Sequence, residues 1–453
     1  MKNDFDLIVI GGGTTGLPAA RMAASFGLKT ALVEPGYLAG TCLNYGCTPT
    51  KTLEYSAEVF ALSNNSGKFG VETESRLQFK KVMGRVRNYV LEAREANEEL
   101  LRSIEEVKLF RSHAKFVSED TVTLEEEEIE LTSDNFIVAT GAIPFVPPVP
   151  GLDEVDYLTY RTVLEIDDLP ERIVILGGGF IGIEYACIFS RFKSKVTIVE
   201  LGDRILPAED DEVSSELEKY LIKSGIEVKT DTKVLSVGKS GGDILVSIDG
   251  DEDINSERLL VATGVVPNTK ELGLESAGIE TDDRGFVKVN DILQSSNKRI
   301  YALGDVNRMY MFTHAGMLQS EIAIKNIANG DEIKMDYPMP HAVFSDPEIG
   351  SIGYRERDLI ASEIAYKKII SQYSGISRSD MIGDTRGFLK LLVEEDGEKI
   401  LGAHIIGPSA SVLIHEFAVL INCHNPKEVF EKTVHIHPTL SELMNEAKNK
   451  WNG

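Results

Sequence analysis

The chain opens with an apolar run at residues 7–10 that stops at Gly11, Gly12 and Gly13, and small residues at helical spacing follow as far as Ser25. A second apolar run, 31–33, ends at Glu34. Short unbroken apolar runs bounded by glycine are the pattern of strands buried on both faces, so strand, helix and strand are predicted in that order. The turn between the first two reads Gly11-x-Gly13-x-x-Gly16. Its glycines allow a tight turn and close backbone approach to a pyrophosphate, the helix N-terminus offers unpaired N–H groups, and the terminal carboxylate can accept from ribose hydroxyls. The whole succession recurs at 172–200, with Gly177, Gly179, Gly182 and Glu200 at one constant offset from their counterparts. Two copies predict two bound dinucleotides.

Each copy leads into a β-rich excursion that closes in an apolar strand and Ala-Thr-Gly. The first, "TVTLEEEEIELTSDNFIVATG", predicts a hairpin with Glu125 to Glu128 as its solvated turn, closing at Ala139, Thr140 and Gly141; the second closes at Gly264. Between the first strand pair and its hairpin, residues 77–104 carry Val82, Val86, Val90 and Leu91 at helical spacing among charges, an amphipathic scaffold helix. The stretch "PFVPPVPG", 144–151, breaks the pattern and marks a crossing between domains.

A length of 453 residues exceeds one ordinary core and suggests roughly three domains. With 72 acidic against 47 basic side chains the net charge is -25, which repels nucleic acid and anionic lipid. The polar start, Met1 to Asp6, and the glycine-broken run after it resemble neither a signal peptide nor a membrane span, so a soluble cytoplasmic protein is expected. Four cysteines in this length cannot be a secreted disulfide framework, and a disulfide here would be a reactive exception.

Two of those cysteines, Cys42 and Cys47, lie in "GTCLNYGCTPTKTL". No nearby His or Cys completes a tetrahedral set, so no metal is expected. Pro49 suits the first turn of a helix through "PTKTLEYSAEVFAL", where a thiol meets the positive end of the dipole and Lys51 adds a cation. Both effects lower a thiolate's pKa and favour a working redox pair over inert thiols. Thiol-disulfide exchange needs a proton partner, and histidine is the natural one. His437 stands out, preceding Pro438 and lying five residues from Glu442. Glu442 is also spaced with Thr439 as a capping box, which leaves open whether it caps the helix, serves His437 or does both.

Together with "YALGD", "DPEIGSIG" and "HIHPTLSE", these segments resemble the flavoprotein (class I pyridine nucleotide) disulfide oxidoreductases over essentially the whole chain. That group contains dihydrolipoyl dehydrogenase, glutathione reductase and mercuric reductase. The resemblance implies an α/β fold: two Rossmann-like three-layer dinucleotide-binding domains, for FAD and NAD, and a C-terminal α+β dimerisation domain. The FAD-binding domain is expected at 1–150 and 268–335, the NAD(P)-binding domain at 151–267, and the dimerisation domain at 336–453. Implied FAD contacts are Gly11, Gly13, Gly16, Glu34, Gly40, Thr41, Lys51, Ala114, Thr140, Gly141 and Gly304, with Asp305 bonding the ribityl chain. Implied NAD contacts are Gly177, Gly179, Gly182, Glu200 and Gly264, with Phe180 either covering the nicotinamide pocket or serving as a core aromatic.

The resemblance further implies that Cys47 faces the flavin, Cys42 exchanges with substrate, and Lys51 pairs with Glu184. His437, oriented by Glu442, would reach across a homodimer to the partner subunit's cysteines. Hydride would pass from nicotinamide to flavin and electrons on to a Cys42–Cys47 disulfide and a small dithiol or disulfide, reversibly. His314 falls near the flavin, while His435 and Cys423 read as structural. Glu200 ends its strand where a carboxylate repels a 2′-phosphate, favouring NADH over NADPH, and Arg204 reads as an ordinary loop residue.

"HPTLSE" resembles dihydrolipoyl dehydrogenases and points to lipoamide, with a 2-oxo-acid dehydrogenase complex as a partner. Mercuric reductases of the best-known type instead carry a C-terminal cysteine pair and an aromatic in place of this histidine. Thr48-Pro49-Thr50, "GVVPN" and "NRMYMFTHAGMLQSE" resemble the mercuric-reductase-like branch. Another small disulfide, a quinone or a metal ion stays open as acceptor, as does a role as a complex subunit or redox sensor.

Overall fold

The computed structural model describes residues 3–250, 252–395 and 397–452; Met1 and Lys2 of the polar start, Asp251, Asp396 and Gly453 lie outside it. The first unit runs β1 (Phe5–Ile10), α1 (Gly16–Ser25), β2 (Thr30–Val33), α2 (Gly40–Asn44), α3 (Cys47–Asn64), α4 (Phe79–Arg102), β3 (Val107–Phe110), β4 (Ala114–Phe116), β5 (Thr121–Leu124) and β6 (Ile129–Val138). A short β7 (Ala142–Pro144) precedes the proline-rich crossing. The second unit comprises β8 (Tyr157–Leu158), β9 (Arg172–Leu176), α5 (Phe180–Arg191), β10 (Lys195–Val199), α6 (Asp211–Lys223) and β11 (Glu227–Lys229), then β12 (Val234–Ser240), β13 (Asp243–Ile248), β14 (Ile254–Ser256) and β15 (Arg258–Val261). The chain returns through β16 (Val265–Pro267), β17 (Ile300–Ala302) and α7 (Thr313–Asn329). It finishes with β18 (His341–Val343), β19 (Ile349–Gly353), α8 (Glu356–Ala361), β20 (Tyr366–Gln372), α9 (Ser377–Ile382), β21 (Phe388–Glu394), β22 (Ile400–Ile406), α10 (Ala410–Ile421), α11 (Pro426–Lys432) and α12 (Leu443–Asn452).

The first sheet has the order β3-β2-β1-β6-β5-β4, with β17 also on β6. β1 pairs in parallel with β2 and β6, and the registers Ile10↔Val33 and Ile10↔Val138 bring Gly11, Glu34 and Ala139 to one carboxyl edge. The second sheet, β11-β10-β9-β15-β8, repeats this: Leu176↔Val199 and Leu176↔Val261 align Gly177, Glu200 and Ala262. A crevice at the carboxyl ends of parallel strands is where such sheets bind ligands. The Ala-Thr-Gly repeats now have a physical reason. Gly11 and Gly177 sit at φ 101° and 106°, and a Cβ on either would overlap the carbonyl of Ala139 or Ala262. The third sheet is antiparallel, β18-β19-β22-β21-β20, backed by α10 and α12.

On α4 the buried seam is Phe79, Met83, Val86 and Val90, spaced by four, three and four residues. Leu91, expected on that seam, is 53% exposed because it lies about a quarter turn past Val90. Val82 is half-buried beside it.

The second and third parts are joined by a buried ion cluster. Lys390 on β21, 1% exposed, lies 2.8 Å from Asp210, 2.6 Å from Glu356 and 3.1 Å from Glu212. Removing the cation leaves the buried Asp210 carboxylate without its counter-charge, a loss of about 3–5 kcal/mol, while Glu212 and Glu356 keep Lys368. Lys390→Met is therefore expected to lower the urea midpoint of unfolding markedly, and an unchanged midpoint would contradict the cluster's role.

Candidate active site

A cleft of about 1430 Å³ runs along the carboxyl edge of the first sheet to α5 and β18. Gly11, Gly13, Glu34, Gly40, Thr41, Lys51, Ala114, Thr140, Gly141 and Asp305 line it. Gly16 and Gly304 do not: a Cβ on Gly16 would overlap Gly11 O, and one on Gly304 would crowd Thr15, so both glycines serve close packing behind the cleft. Glu34 accepts from Gly12 N at 2.7 Å and Gly36 N at 2.8 Å, which fixes its carboxylate at the end of β2.

Two polar groups mark the cleft as built for a polyhydroxylated ligand. Burial pushes the Asp305 carboxyl up to about 6, and its oxygens have no side-chain partner among the described residues. Thr140 Oγ1 is also buried without a partner. Buried polar groups are normally paired, and hydroxyl donors of a ribityl or ribose chain supply what these lack. With the glycine turn and the N-terminus of α1, the residues fit a flavin dinucleotide.

The redox loop is held from behind. Asn44, at the end of α2, donates to Leu38 O at 3.0 Å and Gly40 O at 2.7 Å, and Arg94 Nε on α4 donates to its Oδ1 at 2.5 Å. Gly40, at φ 52°, packs against the backbone of Gly13 and ties the loop to the first fingerprint. Cys42 and Cys47 are free thiols sharing a hydrogen bond, and Cys47 begins α3 as the sequence suggests. The shared bond from Cys47 pulls Cys42 down to about 6, against desolvation and with help from Thr313 and Lys51.

Cys47 moves the other way. The same hydrogen bond, with desolvation added, pushes it well above the ordinary thiol range, and Lys51 opposes this only weakly. The helix start and Lys51 were expected to lower this thiol too. They are outweighed by the hydrogen bond with Cys42 and by desolvation, which together keep a proton on Cys47 once Cys42 has lost its own.

Lys51 Nζ meets Glu184 Oε2 at 2.5 Å and lies 4.6 Å from the Phe344 ring centre; Glu184 Oε1 accepts from Phe344 N at 3.2 Å. Thr50 is buried, its hydroxyl 3.2 Å from Tyr185 Oη, so this position couples α3 to α5. Thr313, at the start of α7, brings its hydroxyl to 3.8 Å from Cys47 Sγ. Phe312, His314 and His341 also line the cleft. Sequence reasoning missed Thr313, Phe312, His341, Asn44 and Arg94; only the placement of "MFTHAG" after Asp305 hinted at the first two.

In the second unit Glu200 accepts from Gly178 N at 2.6 Å and Gly202 N at 2.7 Å, the arrangement of Glu34 over again. Arg204 pairs with Asp211 at 3.0 Å, as an ordinary loop residue would. Of the expected nicotinamide contacts Phe180 lines the cleft, whereas Gly177, Gly179, Gly182, Glu200 and Gly264 lie outside it along the second sheet's edge.

His437 Nδ1 lies 2.9 Å from Glu442 Oε1, while Glu442 Oε2 accepts from Thr439 N at 3.2 Å and completes the capping box. One carboxylate thus makes both contacts that the sequence left open. The His437 side chain is 68% exposed and does not line the cleft of its own chain. His435 turns inward to Glu416 and Asn445. His314 contacts Pro340 O at 2.7 Å. Cys187 is buried on α5, which pushes its thiol up to about 12, and Cys423 donates to Val419 O at 3.4 Å. No cluster of three or more metal-ligating side chains occurs among the described residues.

The family model "Pyridine nucleotide-disulphide oxidoreductase" matches residues 5–320, and that family's dimerisation domain matches 339–448. The chain belongs to the pyridine nucleotide-disulphide oxidoreductases. This pyridine nucleotide-disulphide oxidoreductase is 37% identical to the dihydrolipoyl dehydrogenase of Chlorobaculum parvum over 98% of its length and 96% of the relative's. It is 35% identical to that of Bacillus subtilis, covering 99% and 98% of the two chains. A mercuric reductase of Lysinibacillus sphaericus is 31% identical over 97% of this chain and 81% of its own. Among solved structures, the HOCl-induced flavoprotein disulfide reductase of Escherichia coli superposes with a TM-score of 0.89 at 26% identity, covering 98% and 99%. The oxidoreductase is therefore an FAD-dependent, pyridine nucleotide-linked enzyme with a dimerisation domain. No helix among the described residues is long and apolar enough to cross a membrane.

Proposed function

We propose that this enzyme passes electrons between NADH and a small dithiol or disulfide through Cys42 and Cys47, and that dihydrolipoyl groups are its substrate class. The observation that carries the reading is the meeting in one cleft of the cysteine pair, the Lys51–Glu184 pair and Phe180. Bound FAD supplies the hydride-accepting centre between nicotinamide and cysteines. Lys51, fixed by Glu184, holds a positive charge beside the pair; Thr313 offers its hydroxyl to Cys47; Cys42, the more acidic partner, is the sulfur that exchanges with substrate.

His437 takes and returns the substrate thiol's proton, with Glu442 fixing its tautomer. Its exposure and its place outside the lining of its own cleft support a site shared across a homodimer, completed by His437 of the partner subunit. We assign 1–150 with 268–335 to FAD, 151–267 to nicotinamide and 336–453 to the interface. The curated relatives named dihydrolipoyl dehydrogenase and the intact His437–Glu442 pair favour lipoamide over mercuric ion, and work within a cytoplasmic 2-oxo-acid dehydrogenase complex is part of the same proposal.

Anaerobic NADH reduction followed by a panel of lipoamide, glutathione disulfide, a benzoquinone and Hg(II) tests the substrate. Fastest turnover with lipoamide supports the reading, and turnover with Hg(II) or the quinone alone contradicts it. For the nucleotide, Glu200 would repel a 2′-phosphate, so kcat/KM for NADH should exceed that for NADPH by about 100-fold or more. Glu200→Ala should shrink this ratio; equal use of both nucleotides by the unaltered enzyme would refute the role of Glu200.

A further inference from the structure

Four flat rings stand against one another in the cleft. Phe180 opens α5, Phe312 immediately precedes α7, and His341 opens β18, yet their rings are nearly parallel: Phe180–His341 at 5.8 Å and 21°, Phe312–His341 at 5.2 Å and 7°, Phe180–Phe312 at 6.1 Å and 24°. His314 extends the stack from Phe312 at 5.6 Å and 11°. The stack reaches from the second glycine fingerprint to Thr313 beside Cys47, and Glu184, one turn along α5 from Phe180, holds Lys51.

His341 is the fixed member. Its Nε2 lies 2.6 Å from Glu209 Oε1, and that carboxylate, with a fully buried side chain, also accepts from Ser351 Oγ at 2.7 Å. Although burial opposes ionisation, the bonds from His341 and Ser351 hold the Glu209 carboxyl below its ordinary range. Next along the chain, Asp210 is clamped by Lys390 and by Glu356 N. The loop carrying Glu209 is thus anchored to the third sheet, and the imidazole cannot turn without breaking a partly buried hydrogen bond to a carboxylate. Phe180 has no such tether; its ring rests on an immobile one.

We propose that His341, held by Glu209, is a positioning residue that latches Phe180 over the nicotinamide half-site. The inference rests on the reading of the second unit as the nicotinamide site. On that reading, Phe180, which lines the cleft beside the Lys51–Glu184 pair, gives way when a nicotinamide ring enters, so each contact between Phe180 and the stack lowers the fraction of enzyme open to nucleotide. Apparent affinity falls with that fraction. Weakening the latch therefore tightens nucleotide binding, the opposite of what loss of a direct contact would do.

The test is anaerobic titration and steady-state kinetics of the full-length FAD-loaded enzyme with NADH. His341→Ala should lower the apparent Kd and the KM for NADH by about fivefold, the loss of one aromatic contact, with a much smaller change in kcat. Phe180→Ala should lower both as well, and adding His341→Ala to it should change nothing further, since His341 acts through Phe180. Glu209→Gln, which keeps the side chain's size, should shift the same way by about twofold and serves if His341→Ala does not fold. An unchanged or raised KM in both His341→Ala and Glu209→Gln overturns the latch, as does an equal effect of His341→Ala with and without Phe180. Failure of the unaltered enzyme to be reduced by NADH would instead overturn the nicotinamide reading, and the latch with it.

Discussion

Cys47→Ser is expected to cut NADH-dependent disulfide turnover by about 10³-fold or more, because neither sulfur can pass electrons onward alone and residues that act as a unit fail together. Cys42→Ser should cost as much, yet the two variants should differ in colour. A sulfur lying against the flavin gives long-wavelength absorption on reduction; Cys42→Ser should keep it and Cys47→Ser should lose it. Retention of that band in Cys47→Ser would reverse the division of labour proposed for the pair. Reactivity offers a second reading. Thiolates, not thiols, are alkylated, so iodoacetamide should label Cys42 of the reduced enzyme increasingly as pH rises through about 6, well below an ordinary thiol. Labelling that begins only in the ordinary thiol range would show that the hydrogen bond from Cys47 does not stabilise the Cys42 anion.

His437→Ala should slow disulfide exchange by about 10²–10⁴-fold, the usual contribution of a positioned acid-base group, while NADH reduction of the enzyme proceeds. Glu442→Gln should fall between this variant and the unaltered enzyme, since an amide oxygen can still accept from Thr439 N and keep the cap. The location of His437 makes a sharper prediction. Neither His437 nor Glu442 lines the cleft of its own chain, and under the proposed shared site each active centre takes its cysteines from one protomer and its histidine from the other. Reassorting Cys47→Ser and His437→Ala homodimers should then restore roughly a quarter of full activity, because half the dimers are hybrids and each hybrid has one intact site. No recovery on mixing, with hybrids confirmed by mass, would place the histidine in the same chain as its cysteines.

Much of this site was legible in the sequence because its demands are local. Gly11 and Gly177 must accept positive φ and a close carbonyl, which only glycine does, and the two Ala-Thr-Gly repeats are the other half of the same contact. The redox pair, the start of α3 at Cys47 and the Glu442 capping box were likewise readable over a few residues. What escaped lies between segments far apart in the chain. Glu209, Phe180, Phe312 and His341 meet only after three sheets have packed, and no spacing rule links them. The rise in Cys47 escaped for a related reason: dipole and Lys51 are visible in sequence, but a thiol–thiol hydrogen bond is not. Leu91 shows that a charged helix can carry an apolar residue off its buried seam. Thr50, first met as a departure from the commoner motif, has a place once Tyr185 is seen beside it.

Whether electrons from NADH arrive at Cys42 and Cys47 can be read by counting thiols. The oxidised FAD-loaded enzyme is given a single equivalent of NADH without oxygen, quenched with iodoacetamide and mapped by mass spectrometry. Cys42 and Cys47 should change together from disulfide-linked to alkylated, with Cys187 and Cys423 unchanged. Bleaching of the flavin with the Cys42–Cys47 disulfide still intact would contradict it.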